Sequence, residues 1–308
     1  MQAQKRILVI GSANTDMVIK TAKFPAPGET LLGGKFFMFQ GGKGANQAVA
    51  ASRLGGEVTF IARVGNDMFG RQAVEQYSKE GINTQHIVAD TNSHSGVALI
   101  TVDKNGENTI VVAPGANGNL SPNDLSHCDD AFRKTDLVLL QLEIPVATVV
   151  HAAKTAAGHG KRVILNPAPA AALPDELYPA LFLITPNKSE TETLTGMKIT
   201  TIDSVRTAAE ILRKKGIANV VVTLGGEGAY LYNEYGGKHV PGIKVTAVDT
   251  TAAGDVFNGA LSVALSEDFS LEDAVNFANR AAARSVTKMG AQDSAPFRNE
   301  LFESKKLN

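Results

Sequence analysis

Six short runs of almost continuous apolar residues recur along the chain, and amphipathic helical patterns separate most of them. The apolar runs cover residues 6–11, 58–65, 136–143, 162–169, 181–187 and 219–226. The helical patterns lie at 44–55, 72–82, 145–160 and 205–217. Strands that are apolar on both faces and alternate with helices predict a parallel sheet covered on both sides. We therefore expect an α/β fold with a mostly parallel central sheet flanked by helices, in a Rossmann-like three-layer arrangement.

The last third of the chain has a different rhythm. Residues 228–249 predict a hairpin-like excursion that ends in the strand-like run IKVTAV at 243–248. Two long helical stretches follow, at 254–266 and 271–288.

Two segments interrupt the strand–helix alternation. Residues 15–39 contain two strand-like runs around Pro-Ala-Pro-Gly, and residues 95–112 contain two more around Lys-Asn-Gly. Asn-Gly between β-rich runs is typical of a hairpin. The four runs predict a small inserted sheet that serves as a lid over a substrate or as a subunit contact. A purely decorative surface hairpin pair is the alternative, but the run KFFMF would leave a large apolar area uncovered.

Composition and charge narrow the function classes. The chain has 308 residues, 44% of them hydrophobic, and a formal net charge of −1. This balance gives no sign of a nucleic-acid or acidic-membrane partner, and no apolar stretch reaches the ~18 residues of a membrane span. The N-terminal segment has no small-residue cleavage site after an apolar core, so we expect no signal peptide. The single cysteine, Cys128, excludes an internal disulfide, and together these features indicate a cytoplasmic protein.

The six histidines are scattered, so a metal bound by His or Cys is not expected. An oxygen-bound Mg²⁺ stays possible, since such a site needs only one or two carboxylates plus a phosphate.

Polar residues follow the predicted strands where the strands end. In open parallel sheets, ligands bind beyond these carboxyl ends. Any one of the residues could be a cap or a turn residue, but together they predict a cleft for polyhydroxyl and phosphate groups. They are Asn14, Asp16, Glu143, Asn166, Asn187, Glu190, Thr223, Gly225, Gly226, Gly228, Asp249 and Asp255.

Three short motifs are ambiguous when each is taken alone. In QGGKGANQAVAA (40–51), the glycines permit a sharp turn, and Lys43 and Asn46 stand near a helix start, where Asn46 suits a pair of sugar hydroxyls. A plain glycine-rich turn is the alternative. TLGGEG (223–228) could pass under a nucleotide, although many strand-to-helix turns look the same. NKSE (187–190) places an amide and a carboxylate one helical turn apart, which fits either phosphate and metal-bound water or simple helix capping.

The stretch VDTTAAGDVFNGAL (248–261) carries the strongest chemistry. No G-x-x-x-x-G-K-[ST] loop occurs, and no G-x-G-x-x-G follows the first strand, which disfavours a P-loop enzyme and a dinucleotide dehydrogenase. Ala252, Ala253 and Gly254 lead into a helix whose free amides can hold an anion. Asp255 could then take a proton from an attacking hydroxyl. The alternative is an acidic residue that merely suits the helix dipole.

The motifs GSANTD (11–16), FPAPGET (24–30), GGKGANQA (41–48), GNDMFG (65–70) and DTTAAGDVFNGAL (249–261) occur in this order. Together they resemble the ribokinase-like (phosphofructokinase B type) carbohydrate kinase family over nearly the whole chain. The resemblance implies a single α/β kinase domain over 1–308, with a lid formed by about 15–39 and 95–112 that also makes a homodimer contact. It implies transfer of the γ-phosphoryl group of ATP to the primary hydroxyl of a sugar.

By position, the resemblance assigns Asp255 as catalytic base and Ala252, Ala253 and Gly254 as the anion hole. The positions implied for sugar binding are Asn14, Asp16, Gly42, Lys43, Asn46, Glu143 and Asp255. Those implied for nucleotide binding are Asn187, Thr223, Gly225, Gly226, Gly228, Gly254 and Asn279. Glu190 matches a motif linked to Mg²⁺, through water. Positions implied for K⁺, several of them through backbone carbonyls, are Asp249, Thr251, Ser285, Lys288, Gly290 and Ser294.

Two positions depart from the family pattern. Glu227 stands where a basic residue is common, and Asn279 stands where a His is common, which puts a phosphate contact and an adenine contact in question. D-ribose, phosphorylated at its 5-hydroxyl, is the expected substrate, because Asn14 and Asp16 can both engage the 2- and 3-hydroxyls. A 2-deoxyribose kinase, another pentose or nucleoside kinase, and a non-catalytic sugar-binding homologue stay open as alternatives.

Overall fold

The computed structural model describes residues 6–302. The first five residues of the segment assessed for a signal peptide therefore lie outside the described part. Thirteen strands form two sheets within it. The strands are β1 (Arg6–Ile10), β2 (Asn14–Lys20), β3 (Lys35–Gly41), β4 (Glu57–Gly65), β5 (Asn83–Asp90), β6 (Gly96–Val102), β7 (Asn108–Ala113), β8 (Leu137–Leu140), β9 (Arg162–Leu165), β10 (Leu183–Ile184), β11 (Asn219–Thr223), β12 (Gly228–Asn233) and β13 (Gly236–Pro241).

Nine α-helices within the same residues connect and cover these strands. They are α1 (Lys43–Arg53), α2 (Met68–Lys79), α3 (Pro122–Ser126), α4 (Asp129–Lys134), α5 (Val146–Gly158), α6 (Lys188–Thr195), α7 (Ile202–Lys214), α8 (Ala253–Ser266) and α9 (Leu271–Ser285). The longest has 15 residues, short of the ~20 that a membrane span requires, and no described helix is long and apolar enough to cross a bilayer.

The large sheet has nine strands in the order β13-β12-β11-β10-β9-β8-β1-β4-β5. Seven of them, from β11 to β5 in this order, run parallel, and the β12–β13 hairpin adds two antiparallel strands at one edge. Crossover helices explain why the parallel strands are apolar on both faces. This arrangement confirms the predicted fold class.

Alternate residues of β1 point into two separate cores. Ile7 and Val9 pack in the core beneath α1, α8 and α9, whereas Leu8 and Ile10 pack on the opposite face beneath α5 and α7. All four side chains are fully buried. The sheet is therefore the middle layer of three, and its carboxyl edge stays open for ligands.

Four strands form a small separate sheet in the order β3-β2-β6-β7. β2 and β6 pair in parallel, and each carries an antiparallel outer strand. The β6–β7 turn contains Asn105 and Gly106, and Gly106 has φ of 84°, as the Asn-Gly signal predicts. The four predicted runs are thus strands of one sheet, called the small sheet below.

One predicted strand is wrong and one strand went unpredicted. The run IKVTAV (243–248) is irregular in the structure. Its apolar residues alternate, but it leaves the sheet after β13, and no described strand lies beside it to share a hydrogen-bond ladder. Conversely, β5 pairs with β4 at the sheet edge, although NTQHIVAD is too polar to predict a buried strand.

Candidate active site

Asp255 occupies the first turn of α8, at the open edge of the large sheet. The side chain is 6% exposed. Residue Ala252 precedes the helix with φ of 58°, a left-handed conformation that is uncommon for a non-glycine residue, and no side chain caps the helix. Ala253 N–H donates to Thr250 O at 3.3 Å, whereas the amides of Gly254 and Asp255 find no acceptor among the described residues. The helix start therefore presents unpaired N–H groups, as expected for an anion site.

Close packing of α8 on α1 brings two amides to Asp255. A Cβ on Gly259 would lie 2.8 Å from Ala50 Cβ, so only glycine allows this approach. Asn46 Nδ2 donates to Asp255 Oδ2 at 2.9 Å, and Gln47 Nε2 donates to Oδ1 at 3.0 Å. Both carboxylate oxygens are thus held by side-chain amides from α1.

Burial is the main influence on the Asp255 carboxyl, and it raises the pKa. Nearby Glu143 acts in the same direction, while Lys43 and the amides of Asn46 and Gln47 act against it. A carboxylate with a raised pKa is a better proton acceptor than an exposed one. The site therefore fits the predicted base better than a residue that only complements the helix dipole.

The glycine turn before α1 makes room for a second carboxylate. A Cβ on Gly41 would lie 2.3 Å from Asp16 Oδ2, and Gly42 has φ of 88° with no space for a side chain beside Asn14 N. Burial, followed by the charges of Glu143 and Asp255, raises the pKa of Asp16 to about 6. Gly41 and Gly42 therefore let the backbone of the turn lie close to Asp16 and Asn14. A plain glycine-rich turn would not explain why a carboxylate lies directly against it.

Glu143, at the end of the sheet edge after β8, ties the turn to β1. Glu143 Oε2 accepts from Ser12 Oγ at 2.6 Å and from Lys43 N at 3.0 Å, and its Oε1 lies 4.0 Å from Lys43 Nζ. Burial opposes the charge of Lys43, but Asp255, Glu143, Glu190 and Asp16 together raise the pKa of its ammonium. One cation therefore faces four carboxylates around the cleft.

The side chain of Asn14 is oriented by a residue that the sequence did not single out. Asn117 Nδ2 donates to Asn14 Oδ1 at 2.7 Å and to Ala13 O at 3.1 Å, and Asn117 Oδ1 accepts from Ala13 N at 2.9 Å. Both asparagines are buried. The side-chain NH2 group of Asn14 is therefore left free to donate to a ligand.

A cavity of about 560 Å³ adjoins the unpaired amides on the other side of α8. It lies between the glycine turn after β11, the irregular segment after β13, and α9. Six of the seven residues predicted for nucleotide binding line it, and these are Thr223, Gly225, Gly226, Gly228, Gly254 and Asn279. Asn279 Nδ2 also donates to Val240 O and Pro241 O at 3.4 and 3.3 Å, which fixes its side chain against the end of β13.

Asn187, the seventh residue, begins α6 next to this cavity. It forms an isolated bridge with Thr223 and a reciprocal capping box with Glu190: Asn187 N donates to Glu190 Oε2, and Glu190 N donates to Asn187 Oδ1. Glu190 is 6% exposed, and burial raises the pKa of its carboxyl. The capping alternative is therefore real, yet the buried carboxylate also lies close enough to Lys43 and Asp255 for their charges to affect it.

Asp249 joins the loop before α8 to the turn after α9. Its Oδ1 accepts from Thr251 N and its Oδ2 from Gly290 N, both at 2.9 Å. Ser285 Oγ and Ser294 Oγ donate to carbonyls three residues earlier in the chain. Lys288 N donates to Ser285 O at 3.0 Å, while its ammonium pairs with Glu300 at 2.8 Å. These side chains are committed within the protein, so a cation here would be held mainly by backbone carbonyls.

The described residues contain no group of three or more His, Cys, Asp or Glu side chains arranged to hold a metal ion. Glu227, the first family departure, pairs with Lys188 at 2.9 Å beside the cavity. The ion pair places the basic side chain of Lys188 at this turn, where Glu227 stands in place of the basic residue expected from the family pattern.

The sequence pointed to most of these residues but missed the ones that hold them. Asn117, Gln47 and Gln141 went unpredicted, because isolated amides show no periodicity and their contacts bridge about a hundred residues or more. One signal was available for Gln47, since it follows Asn46 directly inside the glycine-rich motif.

The chain is similar to known carbohydrate kinases over nearly its whole length. The sequence model for "pfkB family carbohydrate kinase" matches residues 4–298. The chain is 44% identical to a ribokinase of Haemophilus influenzae, covering 97% of this chain and 98% of that one. It is 40% identical to a deoxyribokinase of Salmonella typhimurium, covering 98% and 99%. The structure of Arabidopsis thaliana ribokinase complexed with ribose and ATP is 31% identical, covers 98% of both chains and has a TM-score of 0.90.

Proposed function

The chain belongs to the pfkB family of carbohydrate kinases, and we propose that it transfers the γ-phosphoryl group of ATP to the 5-hydroxyl of D-ribose, giving ribose 5-phosphate. The observation that carries this proposal is the placement of Asp255. Its buried carboxylate lies between amides suited to a sugar and N–H groups suited to a phosphate. A base beside an anion site would activate a neutral alcohol next to the phosphoryl group that it attacks.

In this proposal Asp255 accepts the proton of the 5-hydroxyl as the oxygen attacks the γ-phosphorus. The bond from phosphorus to the bridging oxygen breaks, and ADP leaves. The amides of Gly254 and Asp255 stabilise the negative charge on the transferring group, since they point at it without needing to reorganise. Ala252 and Ala253 contribute small side chains, and the left-handed backbone of Ala252 exposes these amides.

The sugar is proposed to bind between the small sheet and α1. Asn46 Oδ1 is a buried acceptor with no partner, and a sugar hydroxyl would supply the missing donor. Asp16 and Glu143 are acceptors for further hydroxyls, while Asn14 donates through its free amide group. Gly42 lets the backbone approach the ring, and Lys43 offsets the negative charge of the surrounding carboxylates.

ATP is proposed to occupy the 560 Å³ cavity, with its phosphates directed toward the start of α8. Gly225, Gly226 and Gly228 present backbone without side chains to the nucleotide, and Asn187, Thr223, Gly254 and Asn279 border it. The cavity is lined largely by apolar side chains, which suits the flat adenine base of the nucleotide.

Two cations complete the proposal. Mg²⁺ would reach Glu190 through water and would neutralise charge on the ATP phosphates. K⁺ would be held beside the α8 start by Asp249 and by carbonyls near Thr251, Ser285, Lys288, Gly290 and Ser294. Oxygen atoms are the ligands that such a hard cation prefers, and these segments offer them as carbonyls. K⁺ would fix the loop that presents the anion-binding amides.

The small sheet is proposed to be a lid over the sugar and a homodimer contact. Asp16, Phe39 and Ala98 are register partners and so share the face toward the cleft. The other face carries the cross-strand row Met38, Met17, Leu99 and Val111. Leu99 is 56% and Val111 69% exposed, which is typical of a surface that a second subunit covers. We propose a cytoplasmic location, since the chain has a single cysteine.

Phosphorylation of 2-deoxyribose is the second candidate, because a deoxyribokinase relative is as similar as several ribokinases. The proposal favours ribose, since both Asn14 and Asp16 are available to the 2- and 3-hydroxyls, and a site built around a hydroxyl rejects the analogue that lacks it. ATP consumption with each sugar, with Mg²⁺ and with or without K⁺, tests this. Higher kcat/KM for ribose supports the proposal, and equal or higher kcat/KM for 2-deoxyribose contradicts it.

A further inference from the structure

A continuous row of buried side-chain amides ends at the Asp255 carboxylate. Gln141 Nε2 donates to Gln47 Oε1 at 2.6 Å. Gln47 Nε2 donates both to Asp255 Oδ1 and to Asn166 Oδ1, each at 3.0 Å. Gln47 and Gln141 are fully buried, and Asn166 is 7% exposed. Burying three side-chain amides costs free energy, so their placement calls for a compensating contribution to the protein.

The orientation of the row is determined at one end by the backbone. Asn166 Nδ2 donates to Thr185 O at 3.3 Å, and a carbonyl can only accept. The Oδ1 of Asn166 therefore points toward Gln47, and Gln47 must donate to it through Nε2. Gln141 fixes the same orientation of the Gln47 amide from the other end, because it donates to Gln47 Oε1. The Gln47 amide is thus fixed as a donor to Asp255.

We propose that Gln47 is a positioning residue that holds Asp255 ionised and directs its Oδ2 toward the sugar hydroxyl. Oδ1 of Asp255 accepts from Gln47, whereas Oδ2 accepts from Asn46, whose own Oδ1 is a buried acceptor without a partner. Oδ2 is therefore the oxygen that takes the proton. This inference rests on the proposed function, because it assigns a supporting role around the proposed base.

Other charged groups also face Asp255 and set the background for this role. Lys43 from α1 favours the ionised carboxylate, while Glu143 after β8, Glu190 from α6 and Asp16 from β2 disfavour it. Three acids and one cation lie near Asp255, so the neutral Gln47 amide stabilises the ionised carboxylate without adding a charge. Its hydrogen bond to a charged acceptor belongs to the stronger class.

The test is the pH profile of kcat, measured with saturating ribose and ATP, in Gln47→Met, a replacement of similar length that removes the donor. We expect the acid limb to move up by about one pH unit, which is the effect of losing one charge-assisted hydrogen bond. Activity at pH 6 should fall about tenfold and recover largely by pH 9, while the dissociation constants of ribose and ATP change less than threefold. An unshifted acid limb would overturn the proposal, whatever the loss of activity.

Two further variants separate positioning from stability. Gln141→Met leaves Gln47 in place but frees it to rotate, and should shift the limb in the same direction by a smaller amount. If Gln47→Met does not fold, this variant carries the test, and an unshifted limb contradicts the proposal. Thr148→Val is the matched control: Thr148 is fully buried and donates to Leu120 O at 2.7 Å, far from Asp255. It should lower the Tm without moving the limb.

Asp255→Ala distinguishes failure of this inference from failure of the proposed function. Inactive Asp255→Ala together with an unshifted Gln47→Met profile rejects only the role of Gln47. Active Asp255→Ala rejects the proposed base itself.

Discussion

Asn117 donates its side-chain amide to Oδ1 of Asn14 at 2.7 Å, across 103 positions of the chain. The contact leaves Asn14 only its amide group to offer to a ligand. Asn117 itself sits in a short 3₁₀ turn (Gly115–Asn119) after the small sheet and is 1% exposed. A residue outside the proposed sugar site thus orients the side chain of Asn14, which belongs to that site.

Asn117→Leu is expected to raise the KM for ribose about tenfold and to leave the KM for ATP unchanged. The lost orientation of Asn14 corresponds to one hydrogen bond, about 1–1.5 kcal/mol. Steady-state kinetics with each substrate varied measures both constants. Asn119→Leu is the control, because Asn119 lies in the same turn but donates to Asp90 and Ser93. Equal effects of the two variants on the ribose KM would contradict this role.

Ribose binding should depend on pH through Asp16, whose pKa is raised to about 6 mainly by burial. Its ionised form accepts hydrogen bonds from sugar hydroxyls, so the KM for ribose should rise as the pH falls below about 6. The rise approaches tenfold per pH unit. Asp16→Asn should bind ribose weakly at every pH and lose this dependence. A ribose KM that stays constant between pH 7.5 and 5 would contradict the assignment.

Asp16 should also lower the stability of the protein. Its folded pKa lies above the unfolded value of 3.8, so ionisation destabilises the native state above about pH 6, and this cost disappears as the pH falls toward 4. Two pKa units correspond to about 3 kcal/mol, which is the upper limit of the effect. Asp16→Asn is expected to unfold at a higher Tm than the parent at pH 7.5 and at a similar Tm at pH 4. Thermal unfolding at both values checks this, and a lower Tm at pH 7.5 would refute it.

Gly41→Ala should remove sugar binding while the protein stays folded. Its Cβ would lie 2.3 Å from Asp16 Oδ2, so the carboxylate must move away from the cleft. We expect at least a hundredfold loss in kcat/KM for ribose with an unchanged KM for ATP. Gly158→Ala at the end of α5 is the control, since a Cβ there meets nothing within 4 Å. It should retain activity and gain a few tenths of a kcal/mol of stability.

The small sheet should mediate self-association. Val111→Asp places a charge in the row that Leu99 and Met17 continue, and is expected to convert a dimer to a monomer. Sedimentation velocity gives the mass directly. Tyr235→Asp, at a 90% exposed position in the β12–β13 turn, is the matched control and should not change the mass. A Val111→Asp protein with the parent mass would exclude this face as the contact.

Continuous apolar runs predicted the central strands well, because burial on both faces leaves no polar positions to obscure them. β5 was not predicted, because it is an edge strand that is half-exposed along most of its length and so lacks a continuous apolar run. The run IKVTAV was wrongly predicted as a strand, because alternation indicates one buried and one exposed face, while a strand also needs a neighbouring strand to pair with. Sequence patterns describe burial, and pairing partners come from the rest of the fold.

The residues of the proposed reaction were easier to predict from the sequence than the residues that hold them in place. Asp255 and the glycine turn stand in short motifs with a clear chemical purpose. Gln47 contacts Asp255 across 208 positions, and Asn117 contacts Asn14 across 103. Such contacts exist only after α8 packs on α1 and the 3₁₀ turn packs on β4 and β6. No local pattern of residues encodes them.

The most direct measurement is the single-turnover rate of ribose phosphorylation by Asp255→Ala, compared with the parent protein. A general base contributes about 10²–10⁴-fold, so the rate should fall by at least two orders of magnitude. Isothermal titration of ribose with the same variant should give a dissociation constant within about threefold of the parent value. A variant that phosphorylates ribose at more than a tenth of the parent rate would contradict Asp255 as the catalytic base.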